Sequence, residues 1–161
     1  MVIFLIALAL AICFGGVLLV GAPYLPTLKP QIAAALELAD LKPGDHLLEL
    51  GCGDGRVALA AARAGLRVTG YELNPLLAVV ARIRTWRYRK QVKIICADFW
   101  QTDWPPAEAV FVFLLDRFMS KLDKKLDSYQ PKPIKLVSFA FKVPGKSPTA
   151  KKSGVYLYTY H

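Results

Sequence analysis

His46-Leu47-Leu48-Glu49-Leu50-Gly51-Cys52-Gly53-Asp54-Gly55-Arg56 decides the fold of this chain. The apolar run 47–50 reads as a short strand buried on both faces. It ends in an acid and then in a glycine at every second position. Glycines there turn without a Cβ penalty and let backbone lie against a ligand. The alanine-rich 57–63 that follows is good helix. Strand, glycine turn, helix is how open α/β sheets build pockets at the carboxyl ends of their strands.

Downstream, the same unit recurs. Residues 66–72 form a second strand ending in Glu72, and Asn74-Pro75 supplies an N-cap with proline at the first helical position. That helix is expected to run through Leu76, Leu77, Val80 and Ile83 to about Tyr88. It closes in Arg82, Arg84, Arg87, Arg89 and Lys90, interleaved with Trp86 and Tyr88. The basic stretch suits a solvated helix end, anionic lipid or nucleic acid. Residues 92–98 are a third strand ending in Asp98, with Phe99 and Trp100 after it, and 109–115 a fourth. Residues 116–129 read as a helix, 134–143 as a fifth strand and 155–160 as a last one. The polar segment 144–153 between them reads as a loop. Strands alternating with helices predict an α/β fold with a parallel sheet and right-handed crossovers.

Upstream, residues 31–39 form a helix behind a connector, 23–30, that carries Pro23, Pro26 and Pro30. Residues 2–22 contain no charged side chain. A stretch of about 20 apolar residues spans a bilayer, so residues 1–22 are expected to be a transmembrane anchor; a cleaved presequence and a helix packed on the domain are the alternatives. The 161 residues leave room for one domain, 31–161. The net charge of +9 lies wholly after the apolar run, which places that domain on the cytoplasmic side of a single-pass protein. Tyr24 suits either a membrane interface or a fold back over the pocket. Cys13, Cys52 and Cys96 have neither zinc nor disulfide spacing, and no metal is expected.

The three strand-ending acids, Glu49, Glu72 and Asp98, decide the ligand. Adjacent strands spread them along one sheet edge, which suits an elongated molecule with amines and hydroxyls at intervals. A dinucleotide needs glycine at the first, third and sixth turn positions, and Arg56 occupies the sixth. S-adenosylmethionine fits better. It has no phosphate, its methionine end is cationic beside Glu49, its ribose hydroxyls suit Glu72, and its adenine amine suits Asp98 with Phe99 against the ring. The helix start near Arg56 suits the cofactor carboxylate.

The segment Glu49-Leu50-Gly51-Cys52-Gly53-Asp54-Gly55 resembles the glycine motif of class I, seven-strand S-adenosylmethionine-dependent methyltransferases. With Gly70-Tyr71-Glu72-Leu73-Asn74-Pro75, Asp98-Phe99-Trp100 and Ala22-Pro23-Tyr24-Leu25-Pro26-Thr27, the chain looks like one small family among them. Its members are the membrane-associated protein-lysine methyltransferases of the adenine nucleotide translocase and the ATP synthase c-subunit, with prokaryotic relatives. The resemblance implies a Rossmann-like sheet with helices on both faces. It also implies a cofactor site of Pro23, Tyr24, Glu49, Gly51, Cys52, Gly53, Glu72, Leu73, Asn74, Asp98 and Phe99, with Pro23-Tyr24 near the methyl donor. Two departures stand out. No clear helix separates the fifth strand from the last, so the sheet is expected to be truncated at its C-terminal strands. The Asn/Asp-Pro-Pro-aromatic acceptor motif is also absent: Leu114-Leu115-Asp116-Arg117 stands in its place, which argues against DNA-adenine chemistry.

Tyr24 and Asp116 are the catalytic candidates; Asp116 at the pocket edge suits either a group holding the acceptor amine or a helix N-cap. The expected activity is lysine methylation of a membrane protein, and nucleic acid is not the expected partner. The alternatives are a small-molecule, lipid or RNA methyltransferase, or a non-enzymatic cofactor-binding module.

Overall fold

The computed structural model describes Met1 and residues 25–161. Eleven regular elements follow one another: α1 (Lys29–Ala39), β1 (His46–Leu50), α2 (Arg56–Arg63), β2 (Arg67–Glu72), α3 (Pro75–Arg84), β3 (Val92–Cys96), β4 (Ala109–Val112), α4 (Asp116–Asp127), β5 (Ile134–Phe139), β6 (Ala150–Lys152) and β7 (Val155–Tyr160). Short 3-10 turns occupy Trp86–Tyr88 and Phe99–Gln101.

The strands form one seven-stranded sheet in the order β3-β2-β1-β4-β5-β7-β6. The first five are parallel, and β7 runs antiparallel between β5 and β6. The order reverses between β1 and β4, which puts the glycine turn after β1 at the topological switch point. The Rossmann-like architecture is as expected, but truncation is not: the sheet is complete. Part of the expected loop 144–153 is β6, which is exposed along its edge and pairs only three residues with β7. Short, lysine-bearing edge strands carry no apolar alternation for a sequence reading to find. No helix is needed to place them because a tight turn at Ser153 and Gly154, both at positive φ, joins β6 to β7. Strand β5 stops at Phe139, short of the expected 143, because Ala140 adopts φ 70°.

Two apolar layers flank the sheet. On one side α1, α2 and α3 pack over Leu47, Val68, Ile94, Phe111 and Val137. On the other α4 lays Met119, Leu122 and Leu126, each 0% exposed, over Leu48, Leu50, Val110 and Leu136. The parallel strands read as continuous apolar runs because both faces are covered.

The expected membrane anchor is corrected. Among the described residues no helix is long and apolar enough to cross a membrane. The longest, α4, has 12 residues, about 18 Å of rise against a hydrocarbon core of about 30 Å, and lysines line its outer face. Residues 2–24, which include the stretch assigned to the anchor and also Pro23 and Tyr24, lie outside the described residues. Among the described residues no spanning helix supports the single-pass localisation, nor the cytoplasmic orientation drawn from it.

Gly55 is the tightest point of the turn. It caps α2 at φ 77°, and a Cβ built on it would lie 2.9 Å from the Ala81 Cβ and 3.0 Å from its Cα. Gly51 also has positive φ, 81°, but its Cβ would meet nothing within 4 Å. Gly55→Ala is therefore expected to cost about 2–4 kcal/mol, left-handed strain plus overpacking, and Gly51→Ala only about 1–2 kcal/mol. Urea titrations of the two variants check the ranking; equal losses would contradict the contact with α3.

Candidate active site

The glycine turn is fixed from below by β2 and from the side by a carboxylate. The N–H groups of Gly51 and Cys52 both donate to the Tyr71 carbonyl, at 2.9 and 2.8 Å. Glu72, at the end of β2 and 7% exposed, accepts from Gly53 N–H through one oxygen and from Asn74 N–H through the other, each at 2.8 Å. Asn74 in turn caps α3, its side-chain oxygen accepting from Leu76 N–H at 2.9 Å and Leu77 N–H at 3.3 Å. Glu72, Gly53 and Asn74 thus form one locked unit. Each Glu72 oxygen keeps a second lone pair. Burial raises the Glu72 pKa, opposed by those N–H donors.

Glu49 is 2% exposed, and its Oε2 has no hydrogen-bond partner among the described residues. Its pKa is pushed well up, first by burial, and further by the nearby Asp54 and Glu72 carboxylates; a backbone N–H at Ala58 opposes the shift. A buried carboxyl oxygen without a donor is costly, and a cationic group at the turn would satisfy it. The residues present therefore fit a ligand that carries an ammonium. Cys52 is buried beside them, its thiol pKa raised by burial and by the same two glutamates, so it is inert as a nucleophile.

Asp98 and Phe99 lie one strand further along the edge. Asp98 caps the 3-10 turn, accepting from Trp100 N–H at 2.9 Å and from the Gln101 side-chain amide at 3.0 Å. The Phe99 ring stands 4.7 Å from Trp100, centroid to centroid. Lys125 of α4 pins this turn, donating to the carbonyl of Thr102 at 3.1 Å and lying over the Trp104 ring at 4.7 Å.

Of the residues singled out in the sequence, the structure brings Glu49, Gly51, Cys52, Gly53, Glu72, Leu73 and Asn74 together around the turn, with Asp98 and Phe99 at the end of the neighbouring strand β3. Asp116 stands apart. It is exposed at the first residue of α4, and Leu115, not Asp116, holds the N-cap position. His46 lies at the opposite sheet end, bonded to the Pro106 carbonyl and the Thr69 hydroxyl. Pro23 and Tyr24 are outside the described residues.

A family model described as the ANTKMT methyltransferase domain matches residues 49–150, more than half of the chain. This chain belongs to the ANTKMT methyltransferase family. The chain is 30% identical over 128 residues to the lysine N-methyltransferase of the ATP synthase c-subunit from Xenopus laevis, a match covering 78% of this chain and 56% of that one. It is 35% identical over 131 residues to the adenine nucleotide translocase lysine N-methyltransferase of Mus musculus, covering 80% and 57%. The chain therefore spans little more than half the length of these relatives. Among solved structures it resembles an RNA methyltransferase of Salinibacter ruber in complex with S-adenosyl-L-homocysteine, with TM-score 0.79, 32% identity, and 84% and 93% of the two chains covered. The resemblance read from the motifs is thereby borne out.

One charged group beside the turn is not singled out in the sequence of this ANTKMT-family chain. Asp54, 6% exposed, is held between Arg56 of α2, at 2.8 Å, and Arg84 of α3. Arg56 also donates to the Thr27 carbonyl at 3.3 Å, tying the N-terminal connector to the turn. The signal is the Gly-Asp-Gly-Arg string itself. An acid buried between two glycines needs a cation to offset its desolvation, and Arg56 stands two residues on.

The Glu49 shift has a testable sign. Its carboxyl keeps its proton to higher pH in the folded chain than in the unfolded one. Below the ordinary carboxyl range both states are protonated and nothing is lost. As pH rises through that range the unfolded chain releases its proton first, and stability falls until the folded pKa is passed. Glu49→Gln removes this slope. Without ligand, the variant is expected to melt at or above the parent, with a gap that widens as pH rises above the ordinary carboxyl range, each kcal/mol moving Tm by about 2–4 °C. Scanning calorimetry at rising pH checks it.

Proposed function

We propose that this chain is an S-adenosylmethionine-dependent methyltransferase whose acceptor is a lysine side chain of a protein. The observation that carries it is the buried, unpartnered Glu49 oxygen at a glycine turn, with Glu72 next to it. The family match and the names of the Xenopus and mouse relatives, both lysine N-methyltransferases, support the acceptor class. In this reading residues 31–161 are the catalytic domain and 23–30 a connector.

When bound, the cofactor would supply a methyl group activated on a sulfonium: the lone pair of a neutral amine forms the N–C bond in line as the S–C bond breaks, and the neutral thioether leaves. The chain's own part is to bind, orient and keep the amine uncharged. Glu49 balances the ammonium of the methionine end. The two Glu72 oxygens, already aimed by Gly53 and Asn74, accept the ribose hydroxyls with their free lone pairs. Asp98 accepts from the adenine amine and Phe99 covers the ring. Phe113 and Phe139, with ring centroids 4.5 Å apart at the carboxyl ends of β4 and β5, give the rim an aromatic, apolar wall. Such a surface disfavours the charged form of an arriving lysine. Asp116, exposed at the start of α4 and apart from the glycine turn, stays a candidate for holding the acceptor amine only if the acceptor reaches across from the turn. The resemblance assigns a role near the methyl donor to Pro23 and Tyr24, which lie outside the described residues.

RNA methylation is the second reading, favoured by the name of the Salinibacter neighbour. Incubating the chain and a tritiated methyl donor with a cell extract, then separating protein, lipid and RNA, distinguishes them. Label is expected in protein and, after hydrolysis, in methyllysine. Label confined to RNA or lipid would overturn the assignment.

Two binding measurements test the site. Glu72→Ala is expected to weaken cofactor binding at least a hundredfold in titration calorimetry, about 3 kcal/mol, with circular dichroism unchanged. Because a cation draws Glu49 into its charged form, binding expels a proton. Cofactor affinity should therefore climb with pH until the raised Glu49 value is passed, and Glu49→Gln should abolish that climb.

A further inference from the structure

Helix α3 is inside out. Its buried residues are Ala78 and Ala81, both 0% exposed, whereas Leu76, Val79, Val80 and Ile83 are 43%, 47%, 41% and 70% exposed. The inner side is restricted to small residues by the glycine turn, since Ala81 already meets the space a Gly55 Cβ would take. That restriction says nothing about the outer side, where polar residues would serve a free surface equally well. The four outer aliphatics fall at i, i+3, i+4 and i+7, within about 100° of the helix circumference. Trp86, 64% exposed, stands just beyond the helix end.

The border of this stripe is cationic. Arg82 and Arg84 project on its two flanks, Arg82 held by the Ile94 carbonyl at 3.2 Å and Arg84 by Asp54. Arg87, Arg89, Lys90 and Lys93 are exposed further on, and no Asp or Glu lies between Glu72 and Asp98. We propose that this face docks an apolar helix edged with carboxylates, carried by the protein acceptor; the assignment to the acceptor rests on the lysine-methyltransferase reading above. A two-turn row of aliphatic knobs at this spacing matches the ridges of a partner helix. Arginines already fixed in place suit carboxylates at fixed positions, which they can bind through paired N–H groups. The stripe also begins two residues after Asn74, whose N–H is bound to Glu72, so a helix lying along α3 reaches the rim of the site. Nucleic acid would engage the arginines and Trp86 but leave the four aliphatics unused.

Fluorescence anisotropy with the full chain tests this. The probe is a labelled synthetic helix with leucines at i, i+3, i+4 and i+7 flanked by glutamates. The comparison probes are the same helix flanked by lysines, a single-stranded RNA, and vesicles of phosphatidylserine and phosphatidylcholine. The glutamate-edged helix is expected to bind. Val80→Ser with Ile83→Ser, and separately Arg87→Glu, should each weaken it at least tenfold while melting temperature and cofactor affinity stay at parental values. Absence of binding, equal binding of the lysine-edged helix, indifference to the variants, or preference for RNA or vesicles would overturn the docking assignment. Calorimetric cofactor affinity is read in parallel, so failure of the docking face and failure of the methyltransferase reading are separate results.

Discussion

The Glu72 carboxylate, accepting Gly53 N–H through one oxygen and Asn74 N–H through the other, is the contact on which the rest of the site depends. It joins two loops that follow different strands, one opening α2 and the other opening α3. Backbone donors at those two turns would otherwise be buried without partners, a cost of about 1–3 kcal/mol each. In the proposed reading the same carboxylate also accepts the ribose hydroxyls, so a change at Glu72 would cost stability as well as binding while leaving the fold in place.

Around it the electrostatics divide unequally. Asp54 is as buried as Glu72 but sits between two guanidinium groups. Glu49 has no such partner, and its raised pKa records the difference. Of the three buried acids around the glycine turn, Asp54 is neutralised by guanidinium groups, Glu72 is held by backbone N–H groups, and one oxygen of Glu49 is left without a donor. The folded chain thus carries a cost that a cationic ligand relieves, as binding sites often do at the expense of stability.

Much of this is legible in the sequence. The apolar runs that end at Glu49, Glu72 and Asp98, each followed by a turn, point to the parallel sheet and the acidic edge. They are legible because strand burial and strand-end chemistry are written in contiguous residues. Asn74-Pro75 announces its helix for the same local reason. What escapes depends on distant neighbours. Nothing local shows that Ala78 and Ala81 rather than Leu76 and Ile83 face inward; the glycine turn, far off in sequence, decides it. The edge strand β6 is recognisable only once β7 lies beside it. The string 53–56 offers Asp54 its local partner Arg56, but the second one, Arg84, comes from α3, far off in sequence. Asp116 reads as a cap candidate, and the cap falls one residue earlier.

The placement of β7 has a consequence for how the chain is made. The last strand of the sequence is not the last strand of the sheet: it pairs with β5 on one side and β6 on the other. Until residues 155–160 have left the ribosome, β5 has an open edge and β6 has nothing to pair with. The half of the sheet that carries the glycine turn can assemble early from neighbouring units, while the other half waits for residues 155–160. A chain arrested before Val155 would thus present an apolar sheet edge, Leu136 and Val137 included, to whatever chaperone or protease surveys it.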